Sequence, residues 1–296
     1  MQETPELVFW PVGHSELGLR DHLEIARAGG FTSLAIAPKR AQALFAEGLT
    51  ATDLIEMAGE QGVRFSQLDG IATWVTKWRA KTGDPELNAW IGAMFDIEMR
   101  EALEIGAALG VEAAVAVPFF DVGSIARAEL IDSFGHFCDL AATFGIEVHV
   151  EAIPFWGLRD LPAAWDIVAA ADRDNAGLMI DTWHIQKGSP DYARDLALLR
   201  TIPGACLKHV QLADADLAPQ ADTLAADVMF RKFPGEGELD LVDMLAIIAA
   251  KGQLRSVGPE VVNRDLAGMS HSEVGLRAGR GTRRVVEQAL QLGNAA

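Results

Sequence analysis

Short apolar runs alternate along this chain with longer amphipathic stretches, and the alternation repeats eight times. The runs lie at 7–13, 31–38, 63–71, 111–119, 146–154, 176–184, 205–214 and 254–262. Each is continuously apolar, which is typical of strands buried on both faces of a parallel sheet. Helical spacing of apolar residues with a closing glycine marks several intervening segments, such as 19–30, 51–62, 87–110 and 241–252. The pattern predicts an α/β fold, a closed (β/α)₈ TIM barrel.

The length and uniform composition of the chain favour a single domain over 1–296. A barrel of this type needs about 250 residues plus insertions, and the chain has 296, of which 50% are hydrophobic. No Pro/Ser-rich linker or change of composition divides it. Two segments, 73–86 and 215–240, exceed ordinary loop length, so we expect them to be binding loops or lids at the carboxyl end of the barrel.

The charge and the apolar runs exclude several classes of partner. With 25 basic and 42 acidic residues, the formal net charge of −17 repels phosphate backbones, so no nucleic-acid partner is expected. No apolar run approaches the roughly 20 residues that span a membrane, and the acidic amino terminus does not resemble a secretory signal. We expect a cytoplasmic protein without a membrane partner. Cys138 and Cys206 lack metal or redox spacing and are expected to be buried structural residues.

Four of the apolar runs in the second half carry a potential metal ligand near their end: Glu151, Asp181, His209 and Glu260. If these runs are strands of one barrel, the four side chains converge at its mouth. Three carboxylates and one imidazole form an oxygen-rich site that suits Mn²⁺, Mg²⁺ or Co²⁺, with Zn²⁺ as an alternative. The competing interpretation is four unrelated residues that cap helices or lie in a polar layer. Four coincidences in this order favour the metal site.

Other residues near the predicted strand ends are candidates for substrate contacts. Trp156 and Trp183 follow the runs that carry Glu151 and Asp181, and flat aromatic faces could cover a ring-shaped or sugar-like ligand. His14 and Gln67 are polar residues expected near the same mouth. Each of these side chains could instead serve packing or the scaffold. No glycine-rich nucleotide motif follows a strand, so one divalent metal ion is the only cofactor predicted.

Five segments of the second half resemble the xylose isomerase-like TIM-barrel superfamily, namely EAIPFWGLRDLPAAWDIV, NAGLMIDTWH, KHVQLAD, FPGEGELDLVDML and GPEVV. Its members include sugar isomerases and epimerases, inosose isomerases and dehydratases, and AP-endonuclease-type enzymes. The AP-endonuclease branch is disfavoured because it requires additional metal-binding histidines, whereas this chain has only seven histidines in all. The negative charge also argues against DNA as the substrate.

The resemblance implies roles for particular residues. It matches the four predicted ligands to the metal ligands of the superfamily. His184, three residues after Asp181, corresponds to a histidine that contacts substrate. Arg231, just before FPGEG, stands where relatives place a cation that binds a substrate oxygen. Relatives also often associate, so a homodimer or homotetramer is expected by analogy.

The predicted site suggests proton transfer next to a carbonyl group. Glu151 and Glu260 come from different sides of the predicted mouth, so one carboxylate can remove a proton and the other return it. The leading hypothesis is a metal-dependent isomerase or epimerase of a small polyhydroxy ketone, either a ketose or a keto-cyclitol such as an inosose. A dehydratase or lyase acting on inosose or dehydroshikimate through the same enolate is the first alternative. A non-catalytic barrel that binds a metabolite is the second.

Overall fold

In the computed structural model, which describes residues 4–82 and 84–293, parallel strands close into a barrel in chain order. The strands are β1 Glu6–Phe9, β2 Ser33–Ile36, β3 Arg64–Ile71, β4 Ala113–Ala116, β5 Glu147–Glu151, β6 Ala176–Asp181, β7 His209–Leu212 and β8 Ser256–Pro259. Each falls within or next to one of the eight apolar runs, and nearly all their residues are buried. The structure therefore confirms the predicted (β/α)₈ TIM barrel.

Helices follow the strands. They are α1 Leu19–Gly29, α2 Pro38–Ala46, α3 Ala51–Gly59, α4 Pro85–Phe95, α5 Met99–Leu109, α6 Arg127–Ala142, α7 Leu161–Ala171, α8 Thr182–Gly188, α9 Tyr192–Thr201, α10 Leu224–Asp227, α11 Leu241–Ala249 and α12 His271–Gly293. Short 3₁₀ turns occur at Val12–His14, Gly204–Cys206 and Arg264–Gly268. The predicted helical segment 87–110 is two helices, because the chain leaves helical geometry at Asp96, which ends α4.

Several observed strands are shorter than the apolar runs that predicted them, and β6 shows one reason. The run continues to residue 184, but the side chain of Asp181 accepts a hydrogen bond from the backbone N–H of His184. An aspartate in this position caps a helix and satisfies one of its free N–H groups. Helix α8 therefore begins at Thr182, and Trp183 and His184 lie on a helix rather than on the strand.

By internal contacts the chain divides into two compact units. One extends up to Leu34, includes Ala58–Arg64 and resumes at Met179, so it holds β1, β7, β8 and helices α8 to α12. The other comprises Ala35–Met57 and Phe65–Leu178, and it holds β4, β5 and helices α4 to α7. Each unit has its own buried apolar residues. The single domain predicted over 1–296 stays a prediction.

A close approach of two backbones fixes the position of β8 beside β1. A Cβ atom on Gly258 would lie 1.6 Å from the carbonyl oxygen of Val8 and 2.9 Å from the ring of Trp10. Only glycine can occupy this position, because it has no side chain. The close contact sets the course of β8 immediately before Glu260. In the described part of the chain, no helix combines the length and apolar character needed to cross a membrane.

Candidate metal centre

Asp181 is the residue on which the centre is built. It is the last residue of β6, and only 1% of its surface is exposed. Its Oδ1 accepts the hydrogen bond from the His184 amide at 2.8 Å, so the carboxylate both ends the strand and starts α8. This double role fixes the orientation of the side chain and brings Trp183 and His184 to the same place.

Glu260 lies directly after β8 and contacts a second polar side chain from β7. Glu260 is buried, and its Oε1 accepts a hydrogen bond of 2.8 Å from Nε2 of Gln211. Gln211 is fully buried and is the register partner of Asp181 on one side and of Gly258 on the other. Its Oε1 is a buried acceptor for which no hydrogen-bond partner is found among the described residues.

The guanidinium group of Arg231 connects the two carboxylates. Its Nη1 donates to Asp181 Oδ2 and to Glu260 Oε2, each at 2.8 Å, while Nη2 lies 3.0 Å from Nε2 of His184. The guanidinium carbon also lies 5.0 Å from the centre of the Trp183 ring. Because Arg231 is 1% exposed, these contacts are made away from bulk water, where charges interact strongly.

This arrangement sets the protonation of Asp181 and His184. Burial opposes the ionisation of Asp181, but the adjacent Arg231 charge outweighs it and lowers the pKa of the carboxyl group. Burial lowers the pKa of His184 to about 3, an effect to which Arg231 adds and which Asp181 opposes. At neutral pH His184 is therefore an uncharged imidazole. Since guanidinium can only donate, Nε2 of His184 accepts and its proton resides on Nδ1.

A group of potential metal-binding atoms lies around Asp181. One ligand atom from each of Asp181, His184 and Glu260 can be chosen so that all three lie within 4.8 Å of one another. Two of the four predicted metal ligands, Asp181 and Glu260, thus lie close together, with His184 beside them. Glu151 is the last residue of β5 and is buried, and its role as a metal ligand stays a prediction.

The fourth predicted ligand, His209, is placed elsewhere. It is the first residue of β7, in register with Met179 and Ser256, and its Nδ1 lies 2.7 Å from Ser256 Oγ. Gln211, two residues further along β7, is the register partner of Asp181, so His209 lies one level below Asp181, and its role as a ligand stays a prediction. Alternate residues of a strand face the same side and lie almost 7 Å apart, so His209 cannot take the level of Gln211.

Gln211 is a candidate that the sequence analysis did not include. His209 was predicted from the same run, KHVQLAD. The alternation of side chains along a strand could have identified Gln211. Its side chain points to the same face of β7 as that of His209, but it lies two residues nearer the carboxyl end of the strand. In a barrel of this type that end carries the functional residues.

Of the two tryptophans predicted to contact substrate, Trp183 lies beside Arg231 and His184, whereas Trp156 packs against other aromatic rings. Trp183 is fully buried beside Arg231 and His184, with ring centres of Trp183 and His184 5.4 Å apart. Trp156 is half-buried, and its ring packs edge-on against Phe119 at 5.5 Å. It therefore belongs to an aromatic cluster.

His14 and Gln67 have scaffold contacts. His14 is buried in the first 3₁₀ turn, and its carbonyl oxygen lies 2.8 Å from Nε2 of His22. Burial lowers the pKa of the His14 imidazole. Gln67 is in register with Ala113, which pairs with Glu147 at the start of β5. This level is the amino end of the strands, so the structure corrects the predicted position of Gln67 near the mouth.

Asp214 fixes the loop that carries Arg231. Its carboxylate accepts hydrogen bonds from three backbone N–H groups, those of Ala215, Gly235 and Leu239. Its backbone exchanges two hydrogen bonds with Lys232, the neighbour of Arg231. A buried carboxylate with this many donors is well satisfied, so Asp214 holds both ends of the PGEGE turn.

The donor set fits a divalent metal ion. Asp181 and Glu260 supply buried carboxylate oxygens, which are the ligands that hard divalent ions prefer. The orphaned Oε1 of Gln211 adds a neutral oxygen beside Glu260. Oxygen-dominated sets of this kind suit Mg²⁺ and Mn²⁺ and are also compatible with catalytic Zn²⁺.

Comparison with known proteins agrees with this architecture. A family model described as xylose isomerase-like TIM barrel matches residues 23–284. A crystal structure of the IolI protein with a bound zinc atom superimposes with a TM-score of 0.77. That superposition covers 96% of this chain and 99% of the other, at 20% sequence identity. At this identity the likeness establishes a shared fold.

Two curated relatives match part of the chain. A 3-dehydroshikimate dehydratase from Pseudomonas aeruginosa is 36% identical over 138 residues, which are 45% of this chain and 20% of the relative. An inosose isomerase from Halalkalibacterium halodurans is 25% identical over 182 residues, which are 60% of this chain and 62% of the relative. The aligned region thus spans about a fifth of the dehydratase and less than two thirds of the isomerase.

Proposed function

This chain belongs to the xylose isomerase-like TIM-barrel family, and we propose that it is a divalent-metal-dependent isomerase or epimerase of a small polyhydroxy ketone. The substrate class is a ketose or a keto-cyclitol such as an inosose. The observation that carries the proposal is the buried group of Asp181, His184 and Glu260 at the ends of β6 and β8, all three in contact with Arg231. The similarity to an inosose isomerase supports the choice of substrate class.

Glu151, Asp181, Gln211 and Glu260 would hold the metal ion. Gln211 replaces His209 in this set because its amide oxygen is orphaned and its amide nitrogen donates to Glu260. When bound, a divalent ion supplies Lewis-acid stabilisation of negative charge on neighbouring substrate oxygens and fixes their geometry. Mn²⁺, Mg²⁺ or Co²⁺ is proposed as the metal, and the zinc in the similar IolI structure supports Zn²⁺ as an alternative.

The protein side chains supply the proton transfer. Glu151 and Glu260 follow different strands, so one carboxylate can take the proton from carbon next to the carbonyl group and the other can return one. The neutral His184 donates from Nδ1 to a substrate hydroxyl, since its Nε2 accepts from Arg231. Arg231 holds positive charge beside the reacting oxygens, and the buried Trp183 ring excludes water on that side.

A dehydratase is the second candidate function. It would begin with the same removal of a proton by Glu151 or Glu260 and end with loss of water instead of reprotonation. The observation that favours it is the 36% identity to a 3-dehydroshikimate dehydratase, a higher identity than that to the inosose isomerase. The dehydratase match covers a smaller share of both proteins, so isomerisation remains the leading proposal.

The experiment is incubation of the metal-loaded protein in D₂O with a panel of ketoses, inososes and 3-dehydroshikimate. Mass spectrometry reads deuterium incorporation and loss of water, and ultraviolet absorbance detects a conjugated product. Deuterium gain in an isomer of the substrate supports the isomerase, whereas loss of water assigns the dehydratase. E151Q, which keeps the size of the side chain but removes the base, should lower exchange by at least about 100-fold.

A result without exchange is also decisive. If the protein binds metal but catalyses neither exchange nor loss of water with any compound, the proposed activity is wrong. The barrel that only binds a metabolite then becomes the better hypothesis.

The matched control for E151Q is R277Q. It removes an arginine whose partner is Glu236, and we expect it to leave exchange unchanged.

A further inference from the structure

We propose that Arg231 competes with the divalent ion for Asp181 and Glu260, so that its guanidinium holds the two carboxylates together until metal binding releases it toward the substrate. The inference rests on the proposed function, because it takes the metal site as given. It adds a role for Arg231 in setting metal affinity.

The first step is the position of one nitrogen atom. Nη1 of Arg231 lies 2.8 Å from Asp181 Oδ2 and 2.8 Å from Glu260 Oε2. Asp181 and Glu260 would be among the residues that hold a divalent ion, and carboxylate oxygens would be its ligands. The ion would therefore need the same oxygens to which Nη1 now donates, and the two cations would compete for them.

The second step is that the other oxygens of the two carboxylates are also engaged. Asp181 Oδ1 accepts from the backbone N–H of His184, and Glu260 Oε1 accepts from Gln211. These contacts hold the side chains in place, so neither carboxylate can rotate freely to offer the ion a different oxygen. The oxygens that face each other are the ones that Arg231 occupies.

The third step is electrostatic. The side chains of Arg231 and Asp181 are at most 1% exposed, and that of Glu260 is 8% exposed. Solvent screening is weak at such a site, so a guanidinium and a divalent cation in adjacent positions repel each other strongly. Metal binding therefore favours movement of the guanidinium away from at least one carboxylate.

The fourth step is that the contacts of Arg231 with the two carboxylates are made by its side chain, while its backbone is held by other residues. Its backbone N–H donates to Val262, its carbonyl oxygen accepts from Asn263, and the next residue is paired with Asp214. Displacement of the guanidinium by a metal ion would therefore be a movement of the side chain and not of the loop.

The test compares R231Q, R231K and R277Q with the wild type by calorimetric titration with Mn²⁺. R231Q removes the competing charge and should bind Mn²⁺ more tightly, on the order of tenfold or more in Kd. R231K keeps the charge and should stay near the wild-type Kd. R277Q removes an arginine that pairs with Glu236 and should not alter it. A wild-type Kd equal to or lower than that of R231Q overturns the inference.

A second measurement uses the unaltered protein, in case R231Q does not fold. The guanidinium carbon of Arg231 lies 5.0 Å from the Trp183 ring centre, so its departure should change the tryptophan emission. Titration with Mg²⁺, which does not itself quench, should give a saturable change in the wild type that is lost in W183F. Binding of Mg²⁺ without any change in emission overturns the inference.

Failure of the proposed function gives a different result. If neither wild type nor R231K binds Mn²⁺, Mg²⁺ or Zn²⁺, the metal site is absent, and both proposals fall. If the wild type binds metal and catalyses exchange, but R231Q and wild type have equal Kd, only the competition is wrong.

Discussion

His209 and Gln211 differ by two positions in the chain, and this small difference decides which of them lies beside Asp181 and Glu260. Both face the same way from β7, but only Gln211 is level with Asp181 and bonded to Glu260. His209 is instead held by Ser256 at the start of β8. A ligand role therefore follows from the level along the strand as much as from the chemistry of the side chain.

The first prediction separates these two residues. Q211L, which keeps the approximate size of the side chain, should weaken Mn²⁺ binding by at least about tenfold, because it removes the amide oxygen and the donor to Glu260. Isothermal titration calorimetry measures the change. The matched variant H209N should leave metal affinity unchanged and lower stability by about 1 kcal/mol through loss of the Ser256 contact. The opposite ranking of the two affinities would restore His209 as the ligand.

At the scale of elements, the close approach of β8 to β1 places Glu260. Gly258 leaves no room for a side chain between the backbone of β8 and Val8. Trp10, directly after β1, also pairs with Glu260 through a backbone bridge. The strand pair thus fixes the carboxylate through backbone contacts, which are stiffer than those of a free loop.

The second prediction tests this strand pair. G258A should lower the free energy of unfolding by at least about 3 kcal/mol, because its Cβ atom overlaps the Val8 carbonyl and forces the strands apart. Urea unfolding followed by circular dichroism provides the measurement. The control is G59A, at the exposed end of α3 with no atom within 4 Å of the new Cβ, which should be neutral or slightly stabilising. Equal stability of the two variants would contradict the argument.

At the scale of the whole molecule, the two cysteines differ in how far their thiols are exposed to solvent. Cys138 on α6 is completely buried, and burial raises the pKa of its thiol to about 12. Cys206 is half-buried, and burial raises the pKa of its thiol as well. The expected burial is therefore complete at Cys138 and only partial at Cys206.

The third prediction uses this difference as a measure of global unfolding. In C206S, Cys138 should react with a thiol reagent at pH 8 more than about 1000-fold more slowly than in guanidinium chloride, because the thiolate is the reactive form. Raising the pH to 9 should leave the thiol largely protonated, since its pKa lies near 12. C138S provides the comparison for Cys206. Rapid labelling of Cys138 in the native protein would indicate that the helix layer opens locally.

The local pattern was sufficient for the fold and for part of the site. Alternation of buried strands and amphipathic helices depends on residues close in sequence, so each of the eight units could be predicted from its own segment. The positions of Glu151, Asp181 and Glu260 at the ends of their strands could be predicted for the same reason, because each follows from the apolar run before it. The ends of the elements were less predictable, since the cap at Asp181 shortened β6.

The tertiary structure decided the relations between distant segments. The sequence by itself determined which residues form strands and which carboxylates end them. It could not determine the register of β7 against β6 and β8, and that register places Gln211, not His209, opposite Asp181. Nor could it reveal that Arg231 joins Asp181 to Glu260, which lie 50 and 29 residues away along the chain. Such contacts depend on the packing of the whole barrel, because no local preference specifies which distant charges meet.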